Sequence, residues 1–441
     1  VVRIAGRIMA IRKMGRASFC HMQDESGRIQ IYVQENSVGQ RGYELFGLLD
    51  IGDIIGVAGK VFRTRTGEIT ILVEELQLLA KNIRPIPIVK EKDGQVFDAF
   101  TDKEQRYRQR YLDLMVNPEV REVFKTRSKI IQWTRDFLNE RGFLEVDTPI
   151  LQPIYGGANA RPFKTFYNSL ERDFYLRIAV ELYLKRLIIG GFDKVYEIGK
   201  NFRNEGLDRT HNPEFTLLEF YQTYVDYNYM MDFVEQYFRQ ISAKLEKAVF
   251  TFGDYEIDFG KPFARRKMFD LIREYAGEDV SQYPAAELKT FCLKKNLEPK
   301  PDDNYGNFIE LLFDNFVEPN LIQPTFVIDY PKAISPLAKS KRDGTTEIVE
   351  RFELYIAGKE FANAFSELND PIDQRERLEQ QSRLRESGDE EAQTMDEDFI
   401  MAMEYGMPPT GGVGIGIDRV VMLFTNQVSI KDVILFPQMR T

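Results

Sequence analysis

The sequence predicts an α+β protein: a small all-β unit, a short linker, and a much larger domain of helices and strands. Three observations predict it. Residues 1–80 alternate strand-like runs with turn residues. Prolines and charges interrupt the chain between 81 and 100. Beyond 100, long helical periodicities alternate with strands. With 441 residues, 43% hydrophobic and 29% charged, the chain can bury a large core, and two or three domains are expected.

Each part follows from local pattern. Candidate strands at 2–10, 17–23, 28–34, 53–62 and 68–79 are rich in Ile, Val, Phe and Tyr, and Gly15-Arg16, Ser26-Gly27 and Thr66-Gly67 supply turns. A helical stretch near 41–49 separates the third strand from the fourth, and that order is the order of an OB barrel. Pro85 and Pro87 stiffen the linker, and a charged segment containing Gly94 follows. A long helix then begins, with Asn117 as N-cap, Pro118 at the first position and Glu119 against the dipole. Val120, Val123, Phe124, Ile130, Ile131, Phe137 and Leu138 recur on it at helical spacing, and Gly142 supplies a left-handed stop. A short strand at 143–146 leads to Asp147-Thr148-Pro149. A helical insertion is expected around 262–320, and the acidic run 386–398 reads as a solvated helix flank.

Composition narrows the function classes. Cys20 and Cys292 are too few and too distant for a disulfide framework and read as buried free thiols. His21 and His211 are the only histidines, so no His/Cys zinc site is expected. The net charge of −10 argues against a chain that coats nucleic acid non-specifically. Arg3, Arg7, Lys13, Arg16 and Arg28 could still form a local basic face. No apolar run is long enough to cross a bilayer and no secretory signal is visible, so no membrane partner and a reducing cytoplasmic compartment are expected. Val1 is not a start methionine, which implies that the natural N-terminus precedes it.

Three stretches carry chemistry. No G-x-x-x-x-G-K-[ST] occurs, and Gly411-Gly412-Val413-Gly414-Ile415-Gly416 does not complete G-x-G-x-x-G. A nucleotide site here must therefore hold phosphates with side chains and metal. The first stretch, 195–224, reads as two antiparallel strands around a long polar loop. A two-residue period puts Phe215, Leu217, Glu219, Tyr221 and Thr223 on one face. That face suits a cationic, ring-bearing ligand; alone, it also fits a surface glutamate among core aromatics. The second stretch, 351–368, turns at Ala357-Gly358, with Asn363, Phe365 and Glu367 on one face. Glu353 and Glu360 flank the turn, where they could share magnesium or lie on an ordinary exposed hairpin. The third, 412–424, alternates glycine with β-branched residues, as in a strand approached closely by another group. It delivers Arg419 into the first turn of an apolar helix, facing a phosphate, an adenine ring or solvent.

Taken in order, these parts resemble the three motifs of class II aminoacyl-tRNA synthetases. The parts are a helix ending in a strand and Pro149, then Phe202-Arg203-Asn204-Glu205 with its loop and aromatic strand, then Ile415-Gly416-Ile417-Asp418-Arg419. The N-terminal barrel narrows the resemblance to the aspartyl, asparaginyl and lysyl subgroup. His211-Asn212-Pro213-Glu214-Phe215 and Asn363-Ala364-Phe365-Ser366-Glu367-Leu368-Asn369-Asp370 look like the lysyl enzyme, and the likeness covers essentially the whole chain. It implies an OB-fold anticodon-binding domain at 1–80, a linker at 81–100, and a class II catalytic domain at 101–441. That domain would be built on an antiparallel sheet flanked by helices. The activity implied is ATP-dependent formation of lysyl-adenylate and transfer of lysine to the 3′ end of tRNA(Lys), with Mg2+ on the ATP.

The resemblance also assigns roles. Arg203 would hold the lysine carboxylate and the α-phosphate, as a planar, always-charged fork can, and with Arg419 would form the catalytic pair. Glu205 would contact adenine, His211 and Asn212 would sit near the phosphates, and Phe215 and Arg419 would cover the two faces of the ring. Glu353 and Glu360 would carry Mg2+. Gly157, Glu181 and Glu219 would surround the α-amine, Asn363 would fix the carboxylate, and Phe365 would line the lysine pocket. Tyr221 and Glu367 would receive the ε-ammonium. Nothing cationic is expected at these positions, which favours lysine over aspartate, and asparagine would need amide-matching groups. Aspartyl and asparaginyl activities stay open as alternatives, as do a non-catalytic RNA-binding paralogue and an enzyme that lysylates protein. On the barrel, Arg12 and Gln30 would read base edges and Phe19 would stack on an anticodon base, unless Phe19 is barrel core. A homodimer through the first helix and Pro149 is implied. Val180 stands where the family usually shows proline, and Thr210 where some relatives carry arginine. Strict alternation puts Glu360 and Asn363 on opposite faces, so a bulge is expected near Phe361-Ala362.

Overall fold

The computed structural model describes every residue except 88, 89, 93, 94, 98, 99, 301, 302, 346, 387–390 and 441. Of 90–92, 95–97 and 386 it describes the backbone only. Gly94 of the linker and part of the acidic run therefore lie outside the described residues. The chain divides into two units, Val1–Val120 and Arg121–Thr441.

In the first unit, β1 (Val2–Met14), β2 (Ala17–Gln23), β3 (Arg28–Gln34), β4 (Ile54–Arg63) and β5 (Ile69–Ala80) close a barrel in the order β1-β2-β3-β5-β4. Only β3 and β5 pair in parallel, as an OB barrel requires. The two-residue period decides which side chains go inside: Cys20, Met22, Ile31 and Val33 join Ile8, Ile55, Val57, Ile71 and Val73 in the core. Phe19 falls on the other phase of β2 and faces outward, so it is not barrel core. The helix α1 (Glu35–Gly47) starts earlier than the apolar pattern suggests, because a kink at Gly39 (φ 75°) joins an extra turn to it.

In the second unit, an eight-stranded sheet carries the site. Its strands are β6 (Leu144–Glu145), β7 (Lys194–Phe202), β8 (Glu214–Thr223), β9 (Ala264–Lys267), β10 (Thr325–Pro331), β11 (Ile348–Tyr355), β12 (Glu360–Ser366) and β13 (Thr410–Gly416), in the order β9-β10-β11-β12-β13-β8-β7-β6. The six inner strands are antiparallel, and each edge strand pairs in parallel, so the sheet is mixed. Helix α2 (Pro118–Asn139) lays Ile130, Phe137 and Leu138 into the main core against Tyr196, Phe220 and Phe233. Gly142 (φ 80°) ends that path and turns the chain into β6. The stretch around 262–320 adds the edge strand β9, then helices Met268–Ala276, Ala285–Lys294 and α4 (Tyr305–Leu312), with a core of their own; α3 is Glu181–Ile189.

Register builds the site. Glu353, Asn363, Gly414 and Glu219 lie in one row across β11, β12, β13 and β8. Arg351, Phe365, Gly412 and Tyr221 form the next row on the same face. The pairing of β11 with β12 slips between Leu354/Ala362 and Tyr355/Glu360, leaving Phe361 as the extra residue of a bulge. That bulge lets Glu360 and Asn363 face one cavity. Among the described residues, no helix is long and apolar enough to cross a membrane.

Candidate active site

A cavity of about 460 Å³ opens over these two rows. Gly157, Glu181, Arg203, Glu205, His211, Asn212, Phe215, Glu219, Tyr221, Glu353, Glu360, Asn363, Phe365, Glu367 and Arg419 all line it. A second cavity of about 470 Å³ adjoins it past Glu353, Glu360 and Arg419. Glu310, Asp314 and Glu318, on or just after α4, line that second space. Burial pushes these three carboxyls up, to about 7, 6 and 7.

The closed end is acidic. Glu181, Glu219 and Glu367 are each buried, and the Tyr221 hydroxyl donates to Glu219 Oε2 at 3.0 Å. Burial, then the neighbouring Glu181, pushes Glu219 up to about 8. The Val180 N–H acts against that rise, a donor that a proline at this position would lack. Glu367 Oε1 is buried without a hydrogen-bond partner among the described residues. Two glycines make room here. A Cβ on Gly412 would stand 2.0 Å from Glu367 Oε1 and 2.4 Å from Tyr221 Cε1. Gly157 has φ 84°, and a Cβ there would crowd the Glu181 Cβ at 3.0 Å.

The expected absence of a protein cation does not hold. The Lys185 ammonium, fully buried, reaches Glu181 Oε1 at 2.5 Å and also contacts Glu367 Oε2. Lys185 follows Glu181 by one helical turn on α3, an i,i+4 pair, which was the available signal. Its contact with Glu367 is long-range and has no sequence mark. Burial pulls the ammonium down, but Glu181 and Glu367 more than reverse this and hold it above its ordinary value.

The middle of the cavity is organised by Arg351, which sequence reasoning passed over. Its guanidinium donates to Asn363 Oδ1 at 3.1 Å, Glu353 Oε1 at 2.5 Å and Ser335 Oγ at 2.9 Å. Glu353 Oε2 accepts from Tyr330 at 2.8 Å and Tyr355 at 2.6 Å. Glu353 is thus held on both oxygens, with one acceptor position left on Oε1. Glu360 is pushed up by burial and by Glu353. Arg419 ties to the Glu360 carbonyl at 2.5 Å and lies 3.5 Å from its carboxylate.

Arg203 lies over the Phe215 ring, 5.1 Å from the centroid. Its Nε is buried without a hydrogen-bond partner among the described residues, and burial holds the guanidinium below its ordinary value. A cation so placed favours an anion brought by a ligand. His211 and Glu205 are exposed at the mouth. The His211 ring meets Asp208 at 2.8 Å and Thr210 at 3.1 Å. Asn212 donates to the Glu214 carbonyl at 2.6 Å, which leaves its Oδ1 without a hydrogen-bond partner among the described residues.

Second-layer contacts fix these arms. Asp418 accepts from the Thr216 N–H at 2.6 Å and pairs with Arg127 at 2.6 Å, locking helix α5 (Ile417–Phe424), which bears Arg419, onto β8 and α2. The buried pair Arg177–Glu197, 2.5 Å apart, joins the Thr148 segment, where Thr148 donates to Glu197 at 2.7 Å. The acidic run is not merely solvated: Asp396 is buried, caps the helix Glu397–Glu404 and pairs with Arg186 at 2.8 Å.

On the barrel, Arg12 pairs across β1–β2 with Phe19, and Phe19 stacks on Tyr32 at 4.6 Å. Gln30 neighbours His21 across β2–β3, and its amide donates to Glu68 at 2.8 Å. Arg12 is exposed, while Phe19 and Gln30 are half-buried on the same outer face.

Comparison with known proteins gives a consistent picture. A family model described as tRNA synthetases class II (D, K and N) matches residues 102–440, and one described as an OB-fold nucleic acid binding domain matches 2–79. A lysine–tRNA ligase of Pelotomaculum thermopropionicum is 56% identical over all of this chain and 86% of its own length. One of Thermoanaerobacter sp. is 55% identical over 87% of its length. One of Porphyromonas gingivalis is 54% identical over 77% of its length, again with this chain covered in full.

Proposed function

The chain belongs to the class II tRNA synthetases of the D, K and N group, and on that premise we propose how its cavity activates lysine and charges tRNA. The enzyme is a lysine–tRNA ligase that consumes ATP. One observation carries the substrate choice: three carboxylates and a tyrosine converge at the closed end, while Arg203 stands nearer the mouth. A long amino acid with a positive head and an anionic tail matches that polarity. Lys185 does not reopen the aspartate alternative. It is committed to Glu181 and Glu367 and does not line the cavity, so an anionic side chain would meet acids.

The reaction needs no enzyme nucleophile. A lysine carboxylate oxygen attacks the α-phosphorus of ATP, a new O–P bond forms, and pyrophosphate leaves. A ribose hydroxyl at the tRNA 3′ end then attacks the lysyl carbonyl carbon and loses its proton, an ester bond forms, the acyl C–O bond to the phosphate breaks, and AMP leaves with the bridging oxygen. Arg203 would hold carboxylate and α-phosphate together, which supplies orientation and charge stabilisation. Phe215 and Arg419 would clasp the adenine, with Glu205, His211 and Asn212 at the phosphate and ring edges. Asn363, fixed by Arg351, would orient the lysine carboxylate, and Phe365 would line the alkyl chain. Glu181, Glu219 and the Gly157 backbone would take the α-amine, and Tyr221 and Glu367 the ε-ammonium.

Glu360 and the remaining lone pair of Glu353 fit one magnesium ion, which prefers one or two carboxylates with phosphate oxygens. When bound, such an ion offsets phosphate charge. Phe19, Arg12 and Gln30 would receive the anticodon, and the two buried free cysteines support a reducing cytoplasmic setting. Exposed Leu144, Ile150, Leu151, Ile154, Phe166 and Leu170, clustered in sequence after α2, support a homodimer surface. Sedimentation at twice the monomer mass is the expected result, and a monomer at micromolar concentration would remove that reading. The activity itself is tested by amino-acid-dependent exchange of pyrophosphate into ATP. Lysine alone should drive it; exchange driven by aspartate or asparagine rejects the pocket assignment.

A further inference from the structure

The closed end of the cavity holds more negative charge than one amine can balance. Glu181, Glu219 and Glu367 line it, all buried. The nearby arginines are engaged elsewhere: Arg351 with Glu353 and Asn363, and Arg203 beside Phe215, where the ligand's anions would meet it. Among the described residues, the cation in direct contact with these acids is Lys185. It is wholly buried, does not line the cavity, and bridges Glu181 and Glu367 through its ammonium. The Phe365 ring lies 5.6 Å from that ammonium, so the amine end is closed by an aromatic as well.

With the ligand's ammonium groups in place and every carboxyl ionised, three carboxylates less one ammonium leave two negative charges. A diamino acid brings two ammonium groups. Resting on the lysine reading above, we propose that Lys185 is a positioning and specificity-determining residue, an internal counter-cation that sets the pocket's charge to match two ligand amines and holds Glu181 and Glu367 at the places those amines occupy. Without it, binding two ammonium groups among three clustered carboxyls leaves either one surplus buried charge or one carboxyl that keeps its proton against an ammonium. With it, a ligand bearing a single ammonium leaves one buried carboxylate unbalanced, which disfavours neutral side chains of similar length.

The charge count makes a prediction of sign that a merely structural lysine does not. The measurement is the lysine KM in pyrophosphate exchange, with the ATP KM as control. The parent enzyme comes first: exchange driven by another amino acid would reject the lysine reading itself, whatever the variants do. Lys185→Met should raise the lysine KM by at least about tenfold with the ATP KM unchanged, since one surplus buried charge is worth more than a factor of ten. Lys185→Arg, which keeps the charge, should recover most of that loss. Glu367→Gln should raise the lysine KM by about a hundredfold, because the pocket then holds one charge for two amines. Adding Lys185→Met to Glu367→Gln restores two negative charges, and the double variant should bind lysine about tenfold better than Glu367→Gln alone. The double variant also removes both members of a buried pair, so it keeps the comparison available if Lys185→Met alone does not fold. A double variant no better than Glu367→Gln, or an unchanged lysine KM in a folded Lys185→Met, overturns the proposal.

Discussion

A buried carboxyl is a poor partner for an ammonium until it has shed its own proton. Glu219 shows this, because burial and Glu181 push it up to about 8. Below that pH the carboxyl holds a proton in the free enzyme and must lose it when an ammonium arrives. The lysine KM should therefore rise as pH falls below about 8, by roughly tenfold per unit for one proton, and level off above. The ATP KM should not follow. A lysine KM that stays flat between about pH 6 and 9 would mean that Glu219 does not face the bound amine. Arg203 offers a second check. Lysine at 203 keeps a charge but loses the planar fork, so Arg203→Lys should lower the exchange kcat by about 10²–10³, the range for losing one preorganised donor to a reacting centre. A kcat within threefold of the parent, about 0.6 kcal/mol, would deny Arg203 that role. At this scale much was legible. Glu219 and Tyr221 share a face by simple alternation, and the mouth residues sit in one short motif. Lys185 beside Glu181 and Arg351 beside Glu353 each left a local signal, but the Lys185–Glu367 and Arg351–Asn363 contacts were not legible, because helix docking and strand pairing make them.

The alternation of glycine along β13 has a measurable consequence. Gly412 lies between Phe365 and Tyr221 in one row, and Glu367 Oε1 occupies the space where a Cβ would stand. The glutamate cannot swing clear cheaply, since its other oxygen is held by Lys185. Gly412→Ala should displace Glu367 and Tyr221 together, raising the lysine KM by more than about tenfold at an overpacking cost of about 1–3 kcal/mol. Thermal unfolding and the ATP KM separate that effect from global damage: a Tm loss with normal lysine binding would show that the strand only packs. The bulge at Phe361 belongs to the same argument. It was legible only as a conflict, two residues of opposite phase required on one side, and the register resolves it at the expected place. The start of α1 was not legible, because a glycine kink extends a helix without extending its apolar stripe. Nor was the work of Asp418, which pins α5 through a backbone N–H on β8.

The molecule divides between a barrel that presents an aromatic face and a larger unit that holds the cavity. Adenylate formation needs only lysine and ATP, whereas charging also needs the tRNA, so the two units can be tested by separate readouts on the intact chain. Phe19 is the residue to change. It points away from the barrel core and leans on Tyr32, so its loss opens no cavity among the core side chains. Base–aromatic stacking is worth about 1–3 kcal/mol per base, which places the rise in tRNA KM for Phe19→Ala at roughly five- to 150-fold. Lysine-dependent pyrophosphate exchange should match the parent enzyme, because no tRNA takes part in it. Raising the salt concentration should weaken tRNA binding in parent and variant alike, since phosphate contacts from Arg3, Arg7, Lys13, Arg16 and Arg28 would not depend on the ring. An equal fall in both exchange and charging would indicate a damaged fold, and melting would show it. Unchanged charging with unchanged exchange would move the anticodon site off this face, and the shared outward face of Arg12, Phe19 and Gln30 would then have no part in recognition.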